Sequence, residues 1–170
     1  MGKVNPGKRF EGWLKASMDA HGMFSLRIPD KLYWTGRNMR SEETPADFMA
    51  CCSDADGNLH SYLVEAKACS KSRMNFSTLK DHQRESLLEF DAIHENAHGV
   101  VAVNFYDPVS LNRGNACFMV PISVWEEMRT KDGAMKSISH NDCLSDERIA
   151  FCPRTKGSIF DMSRWLGGKS

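Results

Sequence analysis

No two of the six cysteines (Cys51, Cys52, Cys69, Cys117, Cys143, Cys152) stand in a C-x-x-C spacing. That absence withdraws support from a structural zinc site or a redox dithiol. It leaves free, mostly buried thiols in a reducing, cytoplasmic compartment as the plainer reading. Long apolar runs are missing too. The longest uncharged ones, around Gly99 to Tyr106 and Ala116 to Trp125, fall far short of the roughly 20 residues that cross a bilayer. The polar N-terminus has no signal-peptide pattern, so a membrane is not expected as a partner. There is no internal repeat and no linker long enough to divide the chain. With 170 residues, 41% of them hydrophobic, the expected organisation is a flexible basic arm over 1–7 and a single domain over 8–170. Such a domain buries its core without metal or disulfide staples.

Net charge is also lacking, with 22 Lys and Arg against 22 Asp and Glu. A zero sum taken alone argues against nucleic acid, but the distribution is uneven. Basic residues outnumber acidic ones 8 to 3 over residues 1–40 and 5 to 1 over 67–84, while 41–66 carry 0 against 6 and 85–112 carry 0 against 5. An acidic centre between basic segments suits a site that holds a cation and receives a polyanion. Charge blocks by themselves fit solvated faces equally well.

What is present is concentrated between Thr44 and Lys67. Thr44-Pro45-Ala46-Asp47-Phe48 opens one apolar run and Tyr62-Leu63-Val64-Glu65-Ala66-Lys67 closes another, joined through the hairpin turn signal Asp54-Ala55-Asp56-Gly57. The period of two along a strand points Glu65 and Lys67 to one face. Carboxylates with an intervening backbone carbonyl are the hard oxygen ligands that Mg²⁺ takes. A nearby ammonium orients a water or neutralises charge developing on a phosphate. Phosphodiester hydrolysis is the chemistry this predicts.

Around that centre, Phe10, Trp13, Leu14 and Met18 predict a helix from Lys8 to about Gly22, with Glu11 in its first turn, where a lone acid also serves the helix dipole. Phe24 to Ile28 reads as a short strand carrying Arg27 and stopped by Pro29. Residues 30–46 read as irregular. Their Tyr33, Trp34, Arg37 and Arg40 suit base stacking and phosphate contact, or tuck onto the core. A helix is expected over about Thr78 to Asn96, with Leu79, Leu87, Phe90 and Ile93 facing inward and His82-Gln83 in its first turns. His94 and His98 lack the third ligand a metal needs. Gly99 to Phe105 reads as a buried central strand paired with Asn115 to Val120. A helix follows from Ser123, and a last short one is capped by Asp161 or Ser163. The fold class is α/β, a mixed central sheet with helices against it.

The order Glu11, Arg27, Pro45-Ala46-Asp47, Glu65-Ala66-Lys67 and Gln83 resembles the PD-(D/E)xK nuclease superfamily, and within it the Holliday-junction resolvases. The RecU family looks most similar, while Gly7-Lys8-Arg9-Phe10-Glu11 and Phe24-Ser25-Leu26-Arg27-Ile28-Pro29 look like the opening of the archaeal resolvases. The likeness spans roughly residues 7 to 125, and its motif is short, so order and strand context carry it. It implies a restriction-endonuclease-like core and a Mg²⁺-dependent endodeoxyribonuclease, with Mn²⁺ able to substitute, that resolves four-way junctions by paired symmetric nicks. By the same likeness, Asp47 and Glu65 are metal ligands together with the Ala66 carbonyl, and Lys67 serves the attacking water or the pentacovalent phosphate. Gln83 and Arg27 hold metal-bound water or the scissile phosphate, and Glu11 joins a second metal site. Lys8, Arg27, Arg37, Arg40, Lys71 and Arg73 are the expected DNA contacts. Two symmetric cuts imply a C2 homodimer, for which Trp13 and the stretch Phe118 to Trp125 offer apolar surface, or else simply core. Residues 30–46 are short for the projecting stalk of RecU proteins, and Ala46 stands where they carry a threonine. Nuclease action on other duplex or repair substrates, and an inactive DNA-binding relative, are the alternatives.

Overall fold

The computed structural model describes residues 5–30, 32–41, 43–106, 116–131, 135–155 and 159–167, and of 32, 33 and 39–41 the backbone only. The first helix, α1 (Pro6–Ala20), starts two residues before the expected Lys8. Asn5 caps it, its side chain accepting the Gly7 N–H at 2.9 Å, and Pro6 sits in the first turn, where its missing N–H leaves no bond unmade. Part of the expected arm is therefore helix, and residues 1–4 lie outside the described set.

Next come β1 (Phe24–Arg27), β2 (Leu32–Trp34), β3 (Met39–Ser41), β4 (Phe48–Ser53) and β5 (Leu59–Cys69). The segment expected to be irregular thus contains a small antiparallel ribbon, β2 with β3, turning at Gly36. The β4–β5 hairpin forms at the predicted turn. The Asp54 carboxylate accepts the N–H groups of Asp56 and Asn58, and Gly57 takes φ +84°, a conformation open to glycine at little cost.

After β6 (Arg73–Asn75) and a 3-10 turn at Phe76–Thr78 comes α2 (Asp81–Asp91), shorter than the predicted 78–96. Beyond it the Asn96 N–H bonds the His94 ring, and the Asp91 carboxylate takes the Gly99 N–H, so local side-chain bonds replace further helical ones. Ile93, expected on the inner stripe, is 72% exposed as a result. The chain continues through β7 (Ala97–Phe105), β8 (Ala116–Pro121), α3 (Ile122–Thr130), β9 (Ser137–Ser139), α4 (His140–Ser145), β10 (Ala150–Pro153) and α5 (Ser163–Gly167). The Asp161 carboxylate accepts the Ser163 N–H at the start of α5, as one of the two expected caps.

The six-stranded sheet runs β1-β4-β5-β7-β8-β10 and is antiparallel except for β5 and β7, which are parallel and joined through α2. The α/β class with a mixed central sheet is what the chain adopts. Alternation along β7 and β8 splits the core into two layers. Val101, Val103, Phe118 and Val120 face α2 and α3, whereas Val100, Ala102, Cys117 and Met119 face α1. Phe118 and Trp125, offered by the sequence as interface, are fully buried in the chain's own core, and Trp13 packs edge-on against Phe160. Phe118 and Trp125 are therefore committed to this chain's own core, the second of the two places the sequence allowed them, while Trp13 is half-buried. The six thiols are free. Among the described residues no helix is long and apolar enough to cross a membrane.

Helix α2 approaches the sheet closely at Gly99, where an added Cβ would lie 2.3 Å from the Leu87 carbonyl oxygen and 2.9 Å from Ile122 Cγ2. Since backbone must move to relieve the clash, Gly99→Ala is expected to destabilise the protein by about 3 kcal/mol. Urea unfolding would register this as a lowered midpoint with unchanged slope; an unaltered midpoint would contradict the close packing.

Candidate active site

Three neighbouring segments build the site: the entry to β4, the second half of β5 and the first turn of α2. Asp47 lies immediately before β4. Its N–H donates to the Val64 carbonyl at 3.1 Å although Val64 pairs in register with Phe48, so two residues of the incoming strand face one of β5. Such a bulge re-aims the side chain. Asp47 thereby bonds in three directions: its carbonyl accepts from Ile28 at 2.8 Å, its amide serves Val64, and its Oδ2 accepts the Ala66 N–H at 2.8 Å. Ala66 is two residues beyond Val64, so its N–H and C=O face the same edge of β5, where β4 has not yet begun. The carbonyl of Ala66 is thus turned toward Asp47.

Glu65 and Lys67 share the opposite alternation, on the α2 side of the sheet. Glu65 is 2% exposed. Its Oε1 accepts from Lys67 Nζ at 2.7 Å and from Gln83 Nε2 at 2.8 Å, while its Oε2 is buried with no partner among the described residues. Gln83 is held by its own helix start, since its Oε1 accepts the Lys80 N–H at 3.2 Å and also Lys67 Nζ at 3.1 Å. That leaves Nε2 aimed at Glu65. The sequence suggested that Gln83 holds water or phosphate; in the structure both ends of its amide are occupied by Glu65, Lys67 and the helix cap, so it braces the two charged groups.

The electrostatics are those of a site short of positive charge. Burial, reinforced by the Asp47 charge, pushes the Glu65 carboxyl up to about 7 from 4.5, against the pull of Lys67 and Gln83. Burial also raises Asp47, with the Ala66 N–H opposing and Glu11 adding to the rise. Two carboxylates whose ionisation burial disfavours, one of them further opposed by the other's charge and with an orphaned buried oxygen, are stabilised by a shared cation. The donor set fits Mg²⁺: two carboxylates and a backbone carbonyl, with the remaining positions left to water, as this ion prefers. Among the described residues there is no group of three or more His, Cys, Asp or Glu side chains disposed to hold a metal, so any ion here depends on the carbonyl and solvent.

The remaining expected residues fall into two groups. Glu11 and Arg27 meet each other, Arg27 Nη2 donating to Glu11 Oε2 at 2.8 Å and Nε at 3.2 Å. Glu11 is therefore neutralised by an arginine, which argues against its expected place in a second metal site. With Lys8, Gly12, Lys15 and Phe48 the pair lines a cleft of about 310 Å³ beside Asp47. Lys8, Arg37 and Lys71 are exposed. Arg73 spends its guanidinium on Ser137 and Asp142, tying β6 to β9, so it is structurally engaged rather than waiting for DNA. Arg40 falls on β3, where its side chain lies outside the described residues. The Lys80 amide that orients Gln83 was not foreseen; its signal was present in the cap-to-third-residue spacing of 80 and 83.

Glu65 supplies a test of this electrostatic picture that needs no substrate. Its folded carboxyl binds a proton more tightly than its unfolded one, so the fold is penalised increasingly as pH rises from about 4.5 to about 7 and fully above that. Glu65→Gln is expected to raise the melting temperature of the metal-free protein at pH 8, by about 1–3 kcal/mol of stability, and to raise it far less at pH 5. Equal gains at both pH values would mean that the carboxylate is not strained by its surroundings.

No family model matches the chain, and no curated protein does. Among solved structures, the fold aligns with the Hjc Holliday junction resolvase of the archaeal hyperthermophile Archaeoglobus fulgidus, at a TM-score of 0.49 and 19% identity, covering 80% of this chain and 90% of that one.

Proposed function

We propose that this protein is a divalent-metal-dependent endonuclease of the PD-(D/E)xK kind, acting on branched DNA and resolving four-way junctions by paired nicks. The observation that carries this reading is that Asp47 and Lys67 both act electrostatically on Glu65, whose Oε1 holds Lys67 while its Oε2 is buried without a partner among the described residues. Mg²⁺, with Mn²⁺ as a substitute, would be held by Asp47, Glu65 and the Ala66 carbonyl, and when bound it supplies an activated water and neutralises charge at the phosphate.

The chain's own residues do the rest. Burial of Glu65 and Asp47 keeps the site poised for cation, because desolvated carboxylates gain most from it. Lys67, braced by Gln83, sits where an ammonium stabilises charge that appears only as the phosphate becomes five-coordinate. Arg27, held ready by Glu11 in the adjacent cleft, serves as the phosphate contact on the other side of Asp47. Cutting two strands of a near-symmetric junction calls for two such sites related by a twofold axis, so a homodimer belongs to the proposal.

Incubation with a synthetic mobile four-way junction, a fork, a flap and a linear duplex in Mg²⁺ tests the reading. Symmetric nicks in the junction and little cutting of duplex are expected. Cutting of linear duplex or flap alone would keep the nuclease and replace the substrate; binding without cleavage in any metal would make the chain a non-catalytic DNA-binding relative.

A further inference from the structure

The sheet is covered unevenly on its α2 side. Helix α2 packs there against β5 and β7, and α3 against β7 and β8. On β1 and β4 the side chains that point the same way are exposed instead: Phe24 at 63%, Leu26 at 54% and Met49 at 45%, with Leu59 at 59% where β5 begins. The strand register places them together. Leu26 stands beside Met49, which pairs with Leu63 of the α2-side core, and Phe24 stands beside Cys51, which pairs with Ser61; Leu59 precedes Ser61 by two residues on the same face. None of these residues carries a charge.

An antiparallel pair with one face in water ordinarily keeps apolar side chains in and polar ones out. Here the uncovered face is apolar. At these exposures the four large side chains present roughly 400 Å² of apolar surface, a size at which a contiguous patch marks an interaction site. A standard interface takes about 800 Å² from each partner, a little over half of it apolar. The patch supplies that apolar share.

Its chemistry selects the occupant. A face without cations has nothing to offer phosphates, so DNA does not fit it. A second copy does: across a twofold axis the same patch meets itself, and with no charges present no like charges are opposed. We propose that the α2-side face of β1, β4 and the start of β5 is the contact between two copies of this chain, packed across a twofold axis. The choice of a second copy rests on the junction-resolving reading, which calls for two sites. Position agrees with it. Met49 lies two residues beyond Asp47 and Leu63 two before Glu65, so the patch ends where the site begins and its pairing fixes the separation of the two sites. Arg27 pairs in register with Phe48 of the α1-side core, so the cleft it lines with Lys8 and Glu11 is on the other side of the sheet and is left open by the contact.

Sedimentation equilibrium of the full chain over a range of concentrations tests the contact. The 19.2 kDa wild-type chain is expected to sediment as a dimer. The double variant Leu26→Glu/Met49→Glu should dimerise at least about a hundredfold more weakly, since the axis would bring four carboxylates into an apolar contact. Leu144→Glu, at a side chain 52% exposed on α4 and outside the patch, should keep the wild-type dissociation constant. Thermal melts report whether each variant is folded. Hydroxyl-radical footprinting gives a second measurement on the unaltered chain, in which Phe24 and Met49 should lose reactivity at the concentrations where the dimer forms while Leu144 keeps its own. A folded double variant with the wild-type dissociation constant, a dimer in which Phe24 and Met49 stay reactive, or a wild-type chain that remains monomeric overturns the proposal. If such a monomer still nicks junctions, the contact alone is refuted and the nuclease reading stands; if the patch dimerises the chain but no DNA is cut in any divalent metal, the contact stands and the nuclease reading falls.

Discussion

Asp47→Asn is expected to reduce junction cleavage by at least about a thousandfold while leaving DNA affinity equal or slightly improved. The asparagine carbonyl can still accept the Ala66 N–H that Asp47 Oδ2 accepts at 2.8 Å, so the β4–β5 bulge survives the substitution. What disappears is the negative charge that, after burial, does most to raise the proton affinity of Glu65. Divalent-ion affinity should therefore fall with the rate, and isothermal titration with Mn²⁺ or Ca²⁺ would measure it independently of catalysis. Removing a carboxylate beside the path of a polyanion weakens repulsion, which is why binding should not suffer. Cleavage within a few-fold of wild type, with Mn²⁺ affinity unchanged, would remove Asp47 from the catalytic set. Loss of cleavage accompanied by a collapsed melting temperature would instead assign the residue to the strand junction alone.

Lys67→Ala is expected to lower turnover by about 10²–10³-fold with little change in DNA affinity, because the ammonium's proposed partner exists only in the transition state. The side chain is only 14% exposed and lies 2.7 Å from Glu65 Oε1 and 3.1 Å from Gln83 Oε1, a placement that keeps it from wandering onto ground-state phosphates. A second consequence separates this role from simple anchoring. Without the ammonium, Glu65 loses a group that opposes its upward shift, so its carboxyl should hold its proton to higher pH than the present value of about 7. The rate of the variant should then climb with pH over a range where wild type has levelled off. Single-turnover rates against pH, with affinity measured in parallel, check both parts. Equal losses in affinity and turnover, with an unshifted pH profile, would make Lys67 a phosphate anchor.

Much of this site was legible along the chain because strands report their faces locally. The period of two is enough to put Glu65 and Lys67 together, and the turn residues Asp54 to Gly57 are enough to bring β4 beside β5. The central position of β7 followed from an apolar run too continuous to have a wet face, whereas the order of the six strands came only with the structure. Helix extent was less legible. The periodicity through Ile93 continued past Asp91, whereas the actual stop is set by a bond from the Asp91 side chain to Gly99, which exists only once β7 lies against α2. The β2–β3 ribbon was missed because its strands are three residues each, too short to present a pattern.

Roles were harder than positions. The resemblance to nucleases, not composition or spacing, suggested roles for Glu11, Arg27 and Gln83, and it could not show their partners: Glu11 pairs with Arg27, Gln83 with Glu65 and Lys67, and Arg73, an expected DNA contact, with Ser137 and Asp142. What the sequence by itself determined was the sheet class, the hairpin and the identity of the two carboxylates and the lysine, all of which depend on periodicity and turn chemistry within a few residues. Only the tertiary structure decided that Glu65 is dry and half unpartnered among the described residues, and that Gln83 bonds both Glu65 and Lys67. Burial and pairing are properties of the space between segments, and desolvation, which sets the charge state of this site, has no magnitude until those segments have closed over it.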